Sequence, residues 1–227
     1  MFSSKQLSGA GLPEKTLCLT FDDGPDETPG DQDGPDTLRL ARYLRRQEVP
    51  ATFFMVGRRI EQYPHILPEV RRLGHLVGNH TYTHPDMVDF LEEGGDCIGE
   101  IVKTDRLLGS GIVFFRAPYG RWTARVSSEL NRNPRADRYV GPFHWDIEGR
   151  DWAYWRDGGS AEACADHYLR EIVRVGRGIV LMHDSSADIE TIRVNNRTPE
   201  MVRLLVPRLK NMGYTFIRLD EIKYAIW

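Results

Sequence analysis

Seven short apolar runs recur along this chain, and the stretches between them carry helical periodicity. The runs are Thr16–Phe21, Ala51–Val56, His75–Asn79, Ile112–Phe115, Tyr139–Trp145, Gly178–Met182 and Tyr214–Leu219. Amphipathic segments lie near Thr37–Glu48, His65–Leu73, Cys97–Leu108, Thr123–Asn131, Ala161–Val175 and Pro199–Met212. Strands that alternate with helices of this length predict an α/β fold, because a parallel strand is reached only by a crossover. The last helix is expected to start at an N-cap Thr198 with Pro199 at N1 and to stop at Gly213, with Pro207 kinking it. Ser160 and Gly176 bracket the preceding helix in the same way. Seven such strands close as an irregular barrel or stay open as a doubly wound sheet, and periodicity alone does not choose.

The placement of polar residues says more. Five of the runs lead straight into residues with catalytic potential: Asp22 and Asp23, His80 and His84, Arg116, Asp146, and His183. Active sites of α/β barrels and open sheets form outside the carboxyl ends of the strands. A solvated loop residue explains any one of these, but explains five together poorly. His80 and His84 form a His-x-x-x-His pair, which in a helical turn presents both imidazoles to one ion. Two histidines with one carboxylate leave coordination positions open for water and substrate. Asp22 and Asp23 offer two carboxylates where one suffices, leaving the other free as a base. Read blandly, Asp22-Asp23-Gly24-Pro25 is simply a turn.

Composition bounds the partners. The 227 residues are 41% hydrophobic with a net charge of −3, which gives no reason to expect a nucleic acid or an anionic membrane. A neutral sugar polymer needs no charge match. The length suits one domain over residues 1–227, with residues 1–15 as a short N-terminal extension. Cys18, Cys97 and Cys164 form no disulfide framework or metal motif and are expected as buried thiols. No signal peptide is evident in the first fifteen residues, which favours the cytoplasm, with export open for a longer natural chain. No apolar run is long enough to span a membrane, and no protein partner is implied. The segment Asp26–Asp36, dense in Asp, Gly and Pro, reads as a solvated loop, with a substrate-groove rim as the alternative.

Five motifs occur in order: Thr20-Phe21-Asp22-Asp23-Gly24-Pro25, His80-Thr81-Tyr82-Thr83-His84, Arg116-Ala117-Pro118-Tyr119-Gly120, Asp151-Trp152 and Leu181-Met182-His183. With Ala51-Thr52-Phe53-Phe54 as a second strand, the chain from Leu17 to Leu219 resembles the polysaccharide deacetylases of the NodB homology type, carbohydrate esterase family four. The resemblance implies a distorted (β/α) barrel with seven parallel strands. It implies a divalent metal, zinc first, with cobalt, nickel, manganese or iron as alternatives. Asp23, His80 and His84 would be its ligands, Asp22 the general base and His183 the general acid. Arg116 would orient Asp22, Asp151 would partner His183, the Tyr119 backbone N–H would hold the oxyanion, and Trp152 and Leu181 would line an acetyl pocket.

The implied activity is removal of N-acetyl groups from GlcNAc-type units of chitin-like, peptidoglycan or exopolysaccharide material. An O-acetyl xylan-type esterase, a cyclic-amide hydrolase and a non-catalytic metal-bound carbohydrate-binding protein are the competing readings. The complete triad and the Arg116–Gly120 segment argue against the cyclic-amide branch, and retention of base and acid against the last. One departure from the family concerns the fourth motif, where Glu148 stands in place of an aspartate, leaving Asp146 as a rival to Asp151 for His183. Trp145, Tyr154 and Trp155 are candidates to stack on sugar rings, with core packing as the default.

Overall fold

Every predicted apolar run contributes a strand, and one further strand forms just beyond the Tyr139–Trp145 run. The computed structural model describes residues 1–27 and 36–222, so most of the Asp26–Asp36 segment lies outside the described residues. In chain order the elements are β1 (Thr16–Asp22), α1 (Asp36–Arg46), β2 (Ala51–Met55), α2 (Gly57–Gln62), α3 (Ile66–Arg72), β3 (Leu76–Asn79), α4 (Met87–Glu92), α5 (Cys97–Leu108) and β4 (Val113–Phe114). They continue as α6 (Ala124–Leu130), β5 (Tyr139–Val140), β6 (Ile147–Glu148), α7 (Asp151–Arg156), α8 (Ala161–Val175), β7 (Gly178–His183), α9 (Glu190–Val194), α10 (Thr198–Asn211) and β8 (Thr215–Phe216).

All strand pairings are parallel, which bears out the α/β class. The main ladder runs β3-β2-β1-β7-β6, with β8 on the first residues of β1. A single bridge from Asn79 to Phe115 leads on to the β4-β5 pair. The described residues therefore show eight short strands where seven were expected, because the Tyr139–Trp145 run is a strand only as far as Val140 and strand pairing resumes beyond it, at Ile147–Glu148. Pro142 has no N–H to give to a ladder. A segment from before β1 fills the break instead. Leu7 donates to Pro142 O and accepts from His144 N, both at 2.8 Å, while Gly9 N donates to Asp146 Oδ2 at 2.7 Å. Phe2 is buried against Phe115 and Tyr139, with ring centroids 5.3 and 4.6 Å away.

Strand alternation builds two cores. Leu17, Leu19 and Phe21 of β1, with Val180 and Met182 of β7, face the helices and join the large cluster. Cys18 and Ile179 face the other way, into a smaller cluster with Phe54 and Phe143. β1 is buried along its whole length, so truncating Leu19 to Ala should cost about 2–5 kcal/mol. The same alternation carries Thr20 and Asp22 inward behind Cys18, and Leu181 and His183 inward behind Ile179, so the site grows out of the inner face.

α8 begins at Ser160, whose side chain accepts from Ala163 N, and ends on left-handed Gly176, as its sequence signals predict. α10 differs at its start. Thr198 is already helical and Arg197 precedes it without a side-chain cap, because the Thr198 hydroxyl is engaged by Trp155 Nε1 at 3.1 Å. Pro207 lies inside α10 and Gly213 follows it at φ 81°. The helices α2, α4, α7 and α9, of five or six residues each, are too short to leave a periodic signal. All three cysteines are buried and free. Among the described residues no helix is long and apolar enough to cross a membrane.

Candidate active site

Successive strand residues point to opposite faces, so two adjacent aspartates cannot both face one cavity from a regular strand. Asp23 solves this by leaving β1 in the left-handed region, at φ 76°. Asp22 and Asp23 then line the same cavity. Four of the seven left-handed non-glycine residues among those described, Asp23, Thr81, His84 and Tyr119, belong to this site. Such conformations persist only where the surroundings enforce them.

The histidine pair corrects one expectation: His80 and His84 do not lie on a helix. They sit in the loop after β3, with Thr81 and His84 at φ 67° and 68°. Side chains take the donors that a helix would have used. Asn79 Oδ1 accepts from Thr81 N at 2.8 Å, and Glu100 Oε2 of α5 accepts from Tyr82 N and Thr83 N at 2.9 and 2.7 Å. The loop still brings both imidazoles together, with ring centroids 5.0 Å apart.

Each ring is held by its far nitrogen. His80 Nδ1 is 2.9 Å from the Arg116 carbonyl, and His84 Nδ1 is 2.6 Å from Asp188 Oδ2. A carbonyl or carboxylate only accepts, so both Nδ1 atoms carry the proton and both Nε2 atoms face Asp23. His80 Nε2 lies 3.5 Å and His84 Nε2 3.1 Å from Asp23 Oδ1, while Asp23 Oδ2 accepts from Ala187 N at 3.0 Å. The candidate ligand atoms of Asp23, His80 and His84 lie within 4.8 Å of one another. Two imidazole nitrogens and a carboxylate oxygen, held from behind and converging on one point, fit a divalent ion. Burial opposes ionisation of Asp23, but the two imidazoles hold its carboxyl well below the usual range. His84, despite its own burial, is pushed up to about 9 by the Asp23 and Asp188 carboxylates.

Asp22 is engaged differently. Arg116, fully buried over the Phe54 ring, donates from one nitrogen to Thr20 Oγ1 at 2.7 Å and to Asp22 Oδ1 at 2.8 Å. A buried guanidinium needs such partners, and this one in turn fixes the carboxylate. Asp22 Oδ2 is 3.6 Å from His80 Nε2. Opposite, Asp151 at the start of α7 accepts from His183 N at 2.7 Å through Oδ2, and its Oδ1 is 2.9 Å from His183 Nδ1. Burial disfavours a charged His183, but Asp151 outweighs it and pushes the imidazole up to about 10.

The choice between the two carboxylates near His183 is plain in the geometry. Asp146, one of the five strand-end candidates, lies away from the site. Its Oδ2 accepts from Gly9 N and Ile179 N at 2.7 and 2.8 Å and ties the N-terminal segment to β7.

The cavity between these groups measures about 480 Å³. Tyr119, Trp145, Glu148, Trp152 and Leu181 line it, as do Ser185, Ser186, Asp188, Ile189 and Ile192 from the loop after β7 and from α9. That last group was missed by sequence reasoning, although the polar run Asp184–Asp188 directly after His183 was a visible signal. Trp155 is fully buried and Tyr154 packs beside it, so of the three aromatics raised for sugar stacking only Trp145 reaches the cavity.

A parallel α/β protein with a buried Asp-His-His cluster, an arginine-held carboxylate and a carboxylate-held histidine in one cavity has the equipment of a hydrolase. The family model for polysaccharide deacetylase matches residues 9–135. The chitooligosaccharide deacetylase of Rhizobium leguminosarum bv. trifolii is 30% identical over 223 residues, covering 93% of this chain and 94% of that protein. The Bc1960 peptidoglycan N-acetylglucosamine deacetylase superposes with a TM-score of 0.74 at 25% identity, covering 94% and 89% of the two chains. A family 4 acetyl xylan esterase from Clostridium thermocellum, solved with a cobalt ion, gives 0.68 at 25% identity, covering 91% and 89%. This chain belongs to the polysaccharide deacetylase family.

Proposed function

We propose that this deacetylase removes N-acetyl groups from GlcNAc-type units of a polysaccharide or oligosaccharide, using a divalent ion held by Asp23, His80 and His84. One observation carries the reading: a fixed carboxylate, a cationic histidine and an ion-ready cluster share one cavity. The named relatives support the N-acetyl bond, one being a chitooligosaccharide deacetylase and another a peptidoglycan N-acetylglucosamine deacetylase. When bound, a divalent ion supplies Lewis acidity, polarising the acetyl carbonyl and bringing the pKa of a water it holds toward about 7.

The residues supply the proton transfers. Asp22, with Oδ1 pinned by Arg116, keeps Oδ2 on the cluster side, where it takes the proton of the attacking water. His183 carries a proton that Asp151 keeps in place and gives it to the leaving nitrogen. The Tyr119 N–H, on the loop after β4, holds the developing oxyanion. Trp152 and Leu181 form the wall against which the acetyl methyl packs.

Acetate release from acetylated chitooligosaccharides and from acetylated xylan, with and without added metal, tests the reading. Release from the chitooligosaccharides should dominate and should depend on the ion. Dominant release from xylan would favour the O-acetyl esterase reading, which the cobalt-bound acetyl xylan esterase keeps open. Metal analysis should find about one divalent ion per chain and much less in His80→Ala; equal content in both would remove His80 from the ligand set.

Leu181 sets the acyl preference. It is buried on the inward face of β7, two residues before His183, and lines the cavity with Trp152. Each added methylene on the acyl group must displace packed side chains, at about 1–3 kcal/mol. Acetyl should therefore be preferred over propionyl. Leu181→Ala, at a cost of about 2–5 kcal/mol in stability, should narrow the acetyl-to-propionyl ratio of kcat/KM. An unchanged ratio in a folded variant would make Leu181 plain core.

A further inference from the structure

The two candidate ligand histidines are held from behind by groups of very different kinds. His80 leans on a backbone carbonyl, that of the fully buried Arg116. His84 leans on the side chain of Asp188, which stands on the loop between β7 and α9 and is more than one-third exposed. Nothing in the motifs that resemble the family includes this carboxylate. Its position is nonetheless well determined. Asp188 Oδ2 accepts hydrogen bonds from His84 Nδ1–H at 2.6 Å and from the Tyr119 hydroxyl at 2.5 Å, and Arg58 Nη2 donates to Oδ1 at 3.4 Å. Arg58 also donates to the Ala187 carbonyl at 2.6 Å, steadying the loop on which Asp188 stands. Helix α2 and the loops after β3, β4 and β7 thus meet on one carboxylate.

We propose that Asp188 is a positioning residue that holds His84 with Nε2 turned into the Asp23–His80–His84 cluster. This rests on the reading of that cluster as a divalent-ion site. An imidazole has two nitrogens, and only a fixed acceptor at Nδ1 decides which one is presented and at what ring angle. Outer partners of this kind are typically worth about 10–100-fold in metal affinity. His84 needs the restraint more than His80 does, because its backbone is left-handed and its buried ring packs, tilted at 4.8 Å, against the ring of the exposed Tyr119. The Tyr119 hydroxyl, in sharing Oδ2, ties the loop after β4 to the same anchor.

The test is a chelator-competition titration of the purified full chain with zinc, using wild type, Asp188→Ala, Asp188→Asn and His84→Ala. Wild type should bind one ion. Asp188→Ala should bind it about 10–100-fold more weakly, approaching His84→Ala. Asp188→Asn keeps an oxygen that accepts from Nδ1 and should recover a good part of the loss. Saturating zinc should restore most of the deacetylase activity of Asp188→Ala, as expected of a residue acting through another. Equal affinity in wild type and Asp188→Ala would overturn the proposal while leaving the cluster as an ion site. Asp188→Asn no better than Asp188→Ala would also overturn it, since orientation would then not be what Asp188 supplies. A wild type that binds no ion would instead overturn the reading of the cluster itself, and this proposal with it.

Discussion

Asp22→Asn should lower turnover by about 10²–10⁴-fold, the usual worth of a positioned general base, while leaving ion content and stability nearly unchanged. The substitution is close to isosteric, and the amide oxygen of asparagine can still accept from Arg116 as Asp22 Oδ1 does at 2.8 Å. What it loses is the ability of the second atom to take a proton. The neighbouring carboxylate is differently disposed, with Asp23 Oδ1 at 3.1 and 3.5 Å from the two imidazole Nε2 atoms and Oδ2 on the Ala187 N–H. Asp23→Asn should therefore show the opposite pattern, with ion affinity falling first and turnover as a consequence. Steady-state kinetics alongside metal analysis of both variants separates the two roles. Loss of the ion from Asp22→Asn with retention in Asp23→Asn would reverse the two carboxylates.

Much of this arrangement was legible because it is written in short contiguous stretches at strand ends. Asp22, Arg116, Tyr119 and His183 each follow an apolar run closely, and the inner face of the fold gathers them without help from distant residues. Legibility stopped where a local conformation depends on a remote partner. A His-x-x-x-His spacing fits a helical turn, yet Glu100 and Asn79 take the backbone donors and fold the segment into a left-handed loop. Asp151 was the favoured partner of His183, but Asp146 stayed a rival in the sequence because its own partners, Gly9 N and Ile179 N, are remote from it along the chain. The break between β5 and β6 follows from Pro142, but the segment around Leu7 that spans it carries no periodic signal of its own. Asp188 stayed hidden for the same reason: its meaning comes from His84, Tyr119 and Arg58, all remote in sequence.

His183→Ala should lose about 10²–10⁴-fold on an N-acetyl amide and clearly less on an activated aryl acetate. An amide releases its nitrogen only if that nitrogen is protonated, whereas an aryl oxide leaves without help. The acid must hold its proton at working pH, and the surroundings of His183 ensure that it does. Burial alone would strip the charge, but Asp151, itself fully buried, is bound to both Nδ1 and the backbone N–H of His183 and raises the imidazole to about 10. The sign follows directly. The active form is the protonated one, so kcat/KM for the amide should be flat through neutrality with respect to this group and fall as pH rises toward 10. Asp151→Asn removes the charge that holds the proton and leaves the burial that opposes it. The alkaline limb should then move down toward or below the ordinary histidine value of about 6.5, costing activity at neutral pH and sparing it under mildly acidic conditions. The measurement is the pH profile of kcat/KM for wild type and Asp151→Asn on the amide, with the aryl acetate as reference. A limb that stays in place would mean that it belongs to another group. Equal losses on amide and aryl ester in His183→Ala would mean that His183 shapes the cavity rather than delivers the proton.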